Sequence, residues 1–194
     1  MTNMIYALVG PHAAGKGTLA SQLIAMGINF IPTYVTAAQA KAPVKQDNPL
    51  YKAISPEDFK KLDLIVRYTH KGEIYGICKQ DLLNSLDNHR ISVMLLETTG
   101  MQQLKRLLKK KLATIYLMVD YVSLVDRMLK MNSTNDEIKY HLQYAENNKE
   151  FESWKFTDHV IKNTGEMQQA LVQLLAIMGL STVVAESKFR ELTN

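Results

Sequence analysis

A glycine-rich segment near the start of the chain has the residue types and spacing of a phosphate-binding loop. The pattern G-x-x-x-x-G-K, followed by G-T, is matched by Gly10-Pro11-His12-Ala13-Ala14-Gly15-Lys16-Gly17-Thr18. Converging backbone N–H groups at such a turn, and at the start of the helix after it, bind the phosphates of a nucleoside triphosphate. We therefore predict that these residues bind a triphosphate and that Lys16 places its charge against the outer phosphates.

The hydroxyl that usually follows the lysine of this pattern is displaced by one residue. Gly17 stands directly after Lys16, and Thr18 supplies the hydroxyl. Because Mg²⁺ keeps several of its waters in nucleotide sites, we predict that Thr18 contacts the ion through water. His12 is open to two interpretations, a phosphate contact or a surface residue without a role.

The elements around the loop predict an α/β fold with a parallel sheet. Short apolar runs, which are typical of buried strands, alternate with helices. We predict strands at Met4–Val9, Phe30–Ile31, Ile91–Leu96, Ala113–Val119 and Asp158–Ile161. We predict helices at Lys16–Met26, Lys79–Asp87, Met101–Lys111, Ser123–Met131, Asp136–Phe151 and Glu166–Met178. The alternation predicts a sheet that is covered by helices on both faces.

The stretch from Thr33 to Asn88 interrupts this alternation and is predicted to be an insertion after the second strand. Ala37–Leu50 holds two prolines and is predicted to be a loop. Ser55-Pro56-Glu57-Asp58 predicts the start of a helix, with serine as the N-cap and proline at the first helical position. Two strands around a turn at Gly72 are predicted at Leu64–Tyr68 and Glu73–Ile77.

The composition excludes several classes of protein. The 194 residues are 46% hydrophobic and 22% charged, an ordinary globular composition, with a net charge of +4. The single cysteine, Cys78, excludes an internal disulfide framework and a four-cysteine zinc site. The apolar run Ile5–Val9 is too short for a signal peptide or a membrane span. We therefore expect a cytoplasmic protein without a membrane partner.

Two further groups of residues are interpreted as structural. A basic cluster on a predicted helix has no interleaved aromatic residues, which favours a solvated face over nucleic-acid binding. The cluster comprises Lys105, Arg106, Lys109, Lys110 and Lys111. The histidines outside the loop, which show no paired spacing of metal ligands, are His70, His89, His141 and His159. The sequence predicts no nucleic-acid partner and leaves the oligomeric state open.

Beyond the loop, an ordered set of short segments resembles the guanylate kinases. The segments are YKAISPEDF at Tyr51–Phe59, EIYG at Glu73–Gly76, LLETTG at Leu95–Gly100, LVDRM at Leu124–Met128 and DHVIKN at Asp158–Asn163. Each is similar to a segment of that family, in the same order and at nearly the same distances. The resemblance covers the chain from Met4 to Met178.

The resemblance implies a P-loop kinase fold in a single domain, 1–194, with several parts. These are a core (1–32 and 89–178), an acceptor-binding insertion (33–88), a lid (about 130–148) and a C-terminal tail (179–194). It also implies ATP as the donor, Mg²⁺ as the cofactor and small-molecule nucleotides as the partners. The implied reaction transfers the γ-phosphoryl group of ATP to GMP, which needs alignment and positive charge rather than covalent chemistry.

Site residues carry over from the resemblance one by one. The implied catalytic residues are Lys16, Arg127, which faces the donor phosphates, and Glu97, an acid near magnesium and the acceptor. Asn163, which ends the last matched segment, is implied to bind ATP. The implied acceptor-binding residues are Thr36, Lys41, Tyr51, Tyr75, Glu97 and Thr99. The two tyrosines match those that hydrogen-bond the acceptor phosphate.

Structural interpretations of the same residues remain open at this stage. Tyr51 and Tyr75 are also explained as ordinary half-buried tyrosines. Glu97 is also explained as a cap of the helix that follows it. Arg127 is also explained as the partner of Asp126 or of another nearby acid in an ion pair.

The sequence departs from the family where the acceptor is recognised. The family's guanine-reading glutamate falls at Val66, and a hydroxyl falls at Ile77, so neither position hydrogen-bonds through its side chain. The first acid of an Asp-Ile-Asp segment is Leu95 here. Two arginines of the acceptor loop become at best Lys41 and Lys45, an exchange that is not conservative for phosphate geometry. A solvated loop face is favoured for these two lysines.

The predicted lid also lacks the arginines of the family. Its Arg-Gly-Thr corresponds to Asn132-Ser133-Thr134, and a later lid-helix arginine falls near Tyr140 or His141. The arginines of the whole chain are Arg67, Arg90, Arg106, Arg127 and Arg190. We hypothesise that the phosphate end of the acceptor site is retained and that its guanine-reading end is lost. The alternatives are a kinase for a different phosphorylated acceptor and a degenerate nucleotide-binding module with little turnover.

Overall fold

A computed structural model of the chain describes residues 3–36, 48–70 and 72–180, so residues 181–194 of the predicted tail lie outside it. The strands are β1 (Met4–Val9), β2 (Asn29–Phe30), β3 (Thr33–Thr36), β4 (Tyr51–Ile54), β5 (Leu64–His70), β6 (Glu73–Cys78), β7 (Ile91–Leu95), β8 (Leu112–Met118) and β9 (His159–Lys162). The α-helices are α1 (Lys16–Ala25), α2 (Pro56–Lys61), α3 (Lys79–Asn88), α4 (Thr98–Leu108), α5 (Tyr121–Lys130), α6 (Asn135–Asn147) and α7 (Met167–Ile177). Two 3₁₀ helices span Lys109–Lys111 and Glu150–Phe156.

Five parallel strands form the larger sheet, in the order β2-β7-β1-β8-β9. Side chains of a strand alternate between the two faces of its sheet. In the central strand, Tyr6 and Leu8 join one core cluster, with residues of α1, α5, α6 and α7. Ile5 and Ala7 join a second cluster, with residues of α3 and α4. The predicted α/β fold, a parallel sheet covered on both faces, is confirmed.

A second sheet of four strands lies within the predicted insertion, in the order β4-β3-β6-β5. β3 and β4 run parallel, whereas β6 is antiparallel to β3 and to β5. The predicted hairpin turn is present at Gly72, whose φ of 82° suits a glycine. β3 and β4 were not predicted, because strands of four residues give little periodicity. Val66 and Ile77 of the hairpin are buried in the second core cluster, which joins the two sheets.

Two helices have boundaries that differ from the prediction by three residues or more. α4 begins at Thr98 rather than at Met101 and ends before Lys109, which has a φ of 48°. The helix predicted at 136–151 ends at Asn147, and Lys149, with a φ of 53°, separates it from the 3₁₀ helix that follows. A residue with a positive φ cannot continue the hydrogen-bond ladder of a right-handed helix, so each change of direction follows from local backbone geometry. Over the described ranges, the helices are too short or too polar to cross a membrane.

The helix α6 begins with a complete capping box. Thr134 Oγ1 accepts a hydrogen bond from the Glu137 amide at 3.3 Å, and Glu137 Oε2 accepts one from the Thr134 amide at 2.9 Å. We expect Thr134→Ala to lower the free energy of unfolding by about 1 kcal/mol, because the first turn loses its cap. Urea unfolding followed by circular dichroism measures this change, with Ser133→Ala as the neighbouring control. Equal unfolding free energies for Thr134→Ala and the wild type would contradict the expectation.

Candidate nucleotide-binding site

The carboxyl ends of neighbouring strands bring predicted site residues to one edge of the larger sheet. Leu8 of β1 pairs with Leu95 of β7, so the loop at Gly10 and the acid Glu97 follow at the same level. On the other side of β1, β8 pairs with β9, and Asn163 follows the last residue of β9. Ligands of open parallel sheets bind outside the carboxyl ends of the strands. The topology therefore places the loop, the acid and the asparagine where such a ligand binds.

The loop wraps around the ammonium group of Lys16. The Nζ atom donates to the carbonyl oxygen of Gly10 at 2.5 Å and to that of Pro11 at 2.9 Å. Lys16 is also the first residue of α1, so the amides of the first helical turn and the positive end of the helix dipole lie at the same place. Burial lowers the pKa of Lys16, while the charges of Glu150 and Glu97 oppose that change.

The backbone turns of the loop explain its small residues. Gly10, Ala13 and Gly15 have φ angles of 148°, 61° and 95°. A Cβ atom on Gly15 would lie 2.6 Å from Asn163 Nδ2, so this position requires glycine for space as well as for its backbone angle. The predicted loop residues therefore form one tight turn between β1 and α1.

Arg127 and Asn163 hold the outer side of this loop. Asn163 Nδ2 donates to the Ala14 carbonyl at 2.8 Å. Arg127 Nη1 donates to the Ala13 carbonyl at 3.3 Å, and Nη2 donates to the Asn163 carbonyl at 2.5 Å. The neighbour of Arg127, Asp126, forms its ion pair with a lysine one turn further along α5. Arg127 thus contacts loop backbone, and the alternative pairing with Asp126 is not the arrangement in the structure.

Glu97 stands at the position before α4, but its carboxylate does not cap that helix. Glu97 Oε2 instead accepts a hydrogen bond from the hydroxyl of Tyr144 at 3.0 Å. Burial raises the pKa of Tyr144, and the charge of Glu97 raises it further. Because Tyr144 belongs to α6, this contact joins the predicted lid to the edge of the sheet. The capping role that was open for Glu97 is therefore wrong for its side chain.

Three tyrosines of the second sheet form a cluster that the charge of Glu97 reaches. The ring of Tyr75 stacks on that of Tyr68 with centroids 5.3 Å apart and meets the ring of Tyr51 edge-on at 6.3 Å. Burial raises the pKa of Tyr51 to about 12, with further contributions from Tyr75 and Glu97. Burial raises the pKa of Tyr68, and the charge of Glu97 raises it further. Burial also raises the pKa of Tyr75, followed by the charges of Glu73 and Glu97. The three phenols are therefore neutral hydrogen-bond donors at physiological pH.

The other predicted acceptor-binding residues are not part of this tyrosine cluster. Thr36 is buried, and its hydroxyl donates to Glu73 at 2.6 Å and accepts from the Ile74 amide at 2.9 Å. Thr99 is exposed in the first turn of α4. Lys41, together with the lysine four residues after it, lies outside the described residues. The structure therefore brings together the two predicted tyrosines and the acid, whereas the Thr36 hydroxyl is bound within the second sheet.

The helix α6 reaches the loop through a pair of histidines. The rings of His12 and His141 stack with centroids 3.6 Å apart and 7° between their planes. His141 is buried, and the ring of Tyr140 meets it edge-on at 5.5 Å. Aromatic rings therefore lie on the part of the lid where the resemblance placed an arginine. His12 packs against α6, which neither interpretation of this residue foresaw.

A second acid at this edge, Glu150, was not predicted. It is the first residue of the second 3₁₀ helix and is 6% exposed. Burial raises the pKa of Glu150 to about 7; the charge of Lys16 lowers it and that of Glu97 raises it. The Lys16 ammonium therefore lies within the electrostatic reach of two carboxyl groups. No local sequence signal separates Glu150 from the exposed acids around it, whereas Tyr68 is detectable from its register opposite Tyr75.

The residues at this edge fit a magnesium ion that is held mainly by the nucleotide. In the part of the chain that the structure describes, no three or more His, Cys, Asp or Glu side chains group as metal ligands. Mg²⁺ keeps several waters and binds through substrate phosphates, so it needs no such group. Thr18 is exposed in the first turn of α1, as a contact through water requires.

Val66 and Ile77 lie in the second sheet at the positions where the resemblance implied hydrogen bonds to the acceptor base. They are partners across β5 and β6 and are 1% and 0% exposed. The helix α4 covers them, since a Cβ atom on Gly100 would lie 3.0 Å from Val66 Cγ1. This end of the second sheet is therefore packed apolar core, and these two side chains offer no hydrogen bond to a ligand.

The fold and the site define an α/β protein in which a glycine-rich loop, an acid and a small second sheet meet at one sheet edge. No family model matches the chain. It is 25% identical over 181 residues to a guanylate kinase from Maricaulis maris (strain MCS10), covering 90% of this chain and 82% of that protein. It is 23% identical over 175 residues to a guanylate kinase from Synechococcus sp. (strain JA-3-3Ab), covering 88% and 80%.

The fold is shared with a guanylate kinase of known structure. The crystal structure of the enzyme from Anaplasma phagocytophilum superposes with a TM-score of 0.65 at 17% identity, covering 98% of this chain and 93% of that one. The chain is thus similar to guanylate kinases in sequence over most of its length and in fold, as its ordered segments predicted.

Proposed function

We propose that the chain is an ATP-dependent nucleoside monophosphate kinase of the guanylate kinase type. It transfers the γ-phosphoryl group of ATP to the phosphate of an acceptor, giving ADP and, from GMP, GDP. The observation that carries this proposal is the convergence of the Lys16 loop, Glu97 and the Tyr51–Tyr75 pair at one sheet edge. Phosphoryl transfer requires mainly alignment and charge stabilisation, which such an arrangement supplies.

The donor side of the site is built from the loop and the residues behind it. Loop amides and the Lys16 ammonium hold the ATP phosphates, and Arg127 keeps the loop in shape and adds positive charge. The side-chain oxygen of Asn163, Oδ1, is buried and has no hydrogen-bond partner among the described residues. An unpaired buried acceptor is costly, so a donor such as the amino group of adenine fits there. Magnesium, when bound, neutralises developing phosphate charge.

The acceptor side is built from the second sheet. Tyr51 and Tyr75 donate hydrogen bonds to the acceptor phosphate, and Glu97 positions the acceptor or magnesium-bound water. Phenol donors hold a phosphate without the charge of arginine, so they bind it more weakly than a bidentate arginine pair does. Closure of α6 over the loop, through His141 and Tyr144, excludes water from the reacting phosphates.

A second candidate function is a kinase for a different phosphorylated acceptor. The burial of Val66 and Ile77 favours it, because guanine would lose its hydrogen-bond partners there. Each unpaired polar group costs about 1–3 kcal/mol, so we expect GMP to be preferred over AMP, CMP and UMP by no more than about 10-fold. Titration of the four monophosphates in the presence of an unreactive ATP analogue measures this preference. Tight binding of GMP alone would contradict the expectation.

A coupled assay of ADP release tests the proposed function. It contains ATP, Mg²⁺ and a panel of nucleoside monophosphates, with Lys16→Ala as the inactive control. Turnover that depends on one of these acceptors supports a nucleoside monophosphate kinase. Measurable ATP binding without turnover on any acceptor would instead favour the degenerate nucleotide-binding module.

A further inference from the structure

A buried carboxyl group beside the loop lysine has no part in the reaction outlined above. Glu150 is 6% exposed, and among residues 3–36, 48–70 and 72–180 no side chain or backbone group hydrogen-bonds its carboxylate. Its short helix is held firmly: Ser153 Oγ donates to the Lys149 carbonyl at 3.1 Å and shares a hydrogen bond of 2.6 Å with Thr98 Oγ1. These hydrogen bonds hold the 3₁₀ helix that begins with Glu150 against Thr98, the residue that follows Glu97 and begins α4.

The charged and titratable groups that interact electrostatically with Glu150 come from four parts of the fold. They are Lys16 of α1, Glu97 before α4, Tyr116 of β8 and Tyr144 of α6. Burial raises the pKa of Tyr116 to about 12, and burial also raises that of Tyr144, so both phenols stay neutral at physiological pH. Before any phosphate binds, the Lys16 ammonium therefore interacts with two carboxyl groups, those of Glu97 and Glu150.

A triphosphate adds several negative charges to this partly buried group of side chains. Unpaired charge away from water is costly, and a buried acid relieves that cost most readily by taking a proton. The hydroxyl of Tyr144 donates a hydrogen bond to the Glu97 carboxylate at 3.0 Å. Glu150, without such a donor, is the group that protonates.

We propose that Glu150 is a positioning residue that balances the charge of Lys16 before nucleotide binds and takes up a proton when the phosphates arrive. Once Glu150 is neutral, it no longer competes with the phosphates for the positive charge of Lys16. This inference rests on the nucleotide binding proposed above. It is supported by the pKa of Glu150, which burial raises to about 7. The acid is therefore poised between its two forms near physiological pH.

Calorimetric titration of ATP with Mg²⁺, without acceptor, tests this inference. Measurements at pH 7 in two buffers of different ionisation enthalpy give the number of protons taken up on binding. We expect the wild type to take up about half a proton more than Glu150→Gln, since a group with a pKa near 7 is half ionised there. The control is Glu152→Gln, an exposed acid of the same helix that pairs with Lys155 at 2.6 Å. Protons exchanged by ATP itself cancel between the variants.

The pH dependence of ATP affinity gives a second readout. Binding that takes up a proton weakens as pH rises, so above pH 7 the wild-type affinity should fall by up to about 10-fold per pH unit relative to Glu150→Gln. Glu150→Asp, which keeps a carboxyl group, should retain the pH dependence and serves if the glutamine variant does not fold. Equal proton uptake and equal pH profiles in the wild type and Glu150→Gln would overturn the inference.

The outcomes separate this inference from the proposed function. Wild-type protein that binds no ATP overturns both. Proton uptake that depends on Glu150 without turnover on any acceptor supports the role of Glu150 and overturns the kinase function. Turnover with equal proton uptake in the wild type and Glu150→Gln overturns the role of Glu150 and supports the kinase.

Discussion

Replacing Lys16 with alanine should lower kcat/KM for phosphoryl transfer by about 10³-fold, in the range found when one key charge-stabilising group is removed. The change removes the ammonium that crosses the loop to the carbonyls of Gly10 and Pro11. It also removes the positive charge that opposes the Glu97 carboxylate, so that carboxylate then faces the incoming phosphates without compensation. Loss of attraction and new repulsion act in the same direction, which is why this effect is the largest that we expect.

The coupled assay of ADP release measures this effect with the acceptor that the wild type uses best. Lys130→Ala is the matched control, because this lysine is exposed and forms only an (i, i+4) pair with Asp126. Thermal melting of both variants shows whether the fold is intact. Activity of Lys16→Ala within 10-fold of the wild type would show that the ammonium does not stabilise the transferred group.

The part of the site that could be predicted from the sequence is the part that depends on local pattern and strand order. The loop follows from the spacing of Gly10, Gly15 and Lys16, because glycine and lysine have distinct roles in a phosphate turn. The placement of Glu97 beside that loop then follows from the register of two parallel strands, Leu8 against Leu95. Both arguments need only short stretches of sequence and the general geometry of a parallel sheet.

The residues that were missed depend on tertiary packing. Glu150 is one acid among several in a polar stretch, and its burial follows from a left-handed residue at Lys149 that no composition signals. The tyrosine cluster depends on the pairing of Tyr68 with Tyr75, which required the hairpin register. The stacking of His12 on His141 joins residues far apart in the chain. For Glu150 and His12 the neighbours in question, Lys16 and His141, are distant in sequence, whereas Tyr68 and Tyr75 meet through the pairing of one hairpin.

The two ends of the proposed acceptor site have different physical characters. Its proposed phosphate end is lined by phenols whose pKa values burial raises above 10, and by the charged loop at the carboxyl edge of the larger sheet. Its base end, at Val66 and Ile77, belongs to the core that joins the two sheets. Polar groups placed in that core would cost stability unless each found a partner. The residues proposed to bind the acceptor phosphate are thus separate from those at the base end.

Arg127→Lys should lower kcat/KM by about 10²-fold, although it keeps the positive charge, because a lysine cannot reproduce the two-pronged geometry of a guanidinium group. The guanidinium bridges the carbonyls of Ala13 and Asn163, so its loss frees the outer side of the loop. Faster amide hydrogen exchange at residues 13–15 should accompany the loss of activity. Arg106→Lys, on the exposed face of α4, is the matched control. Wild-type kinetics and exchange in Arg127→Lys would show that charge alone, rather than the shape of the loop, is what Arg127 supplies.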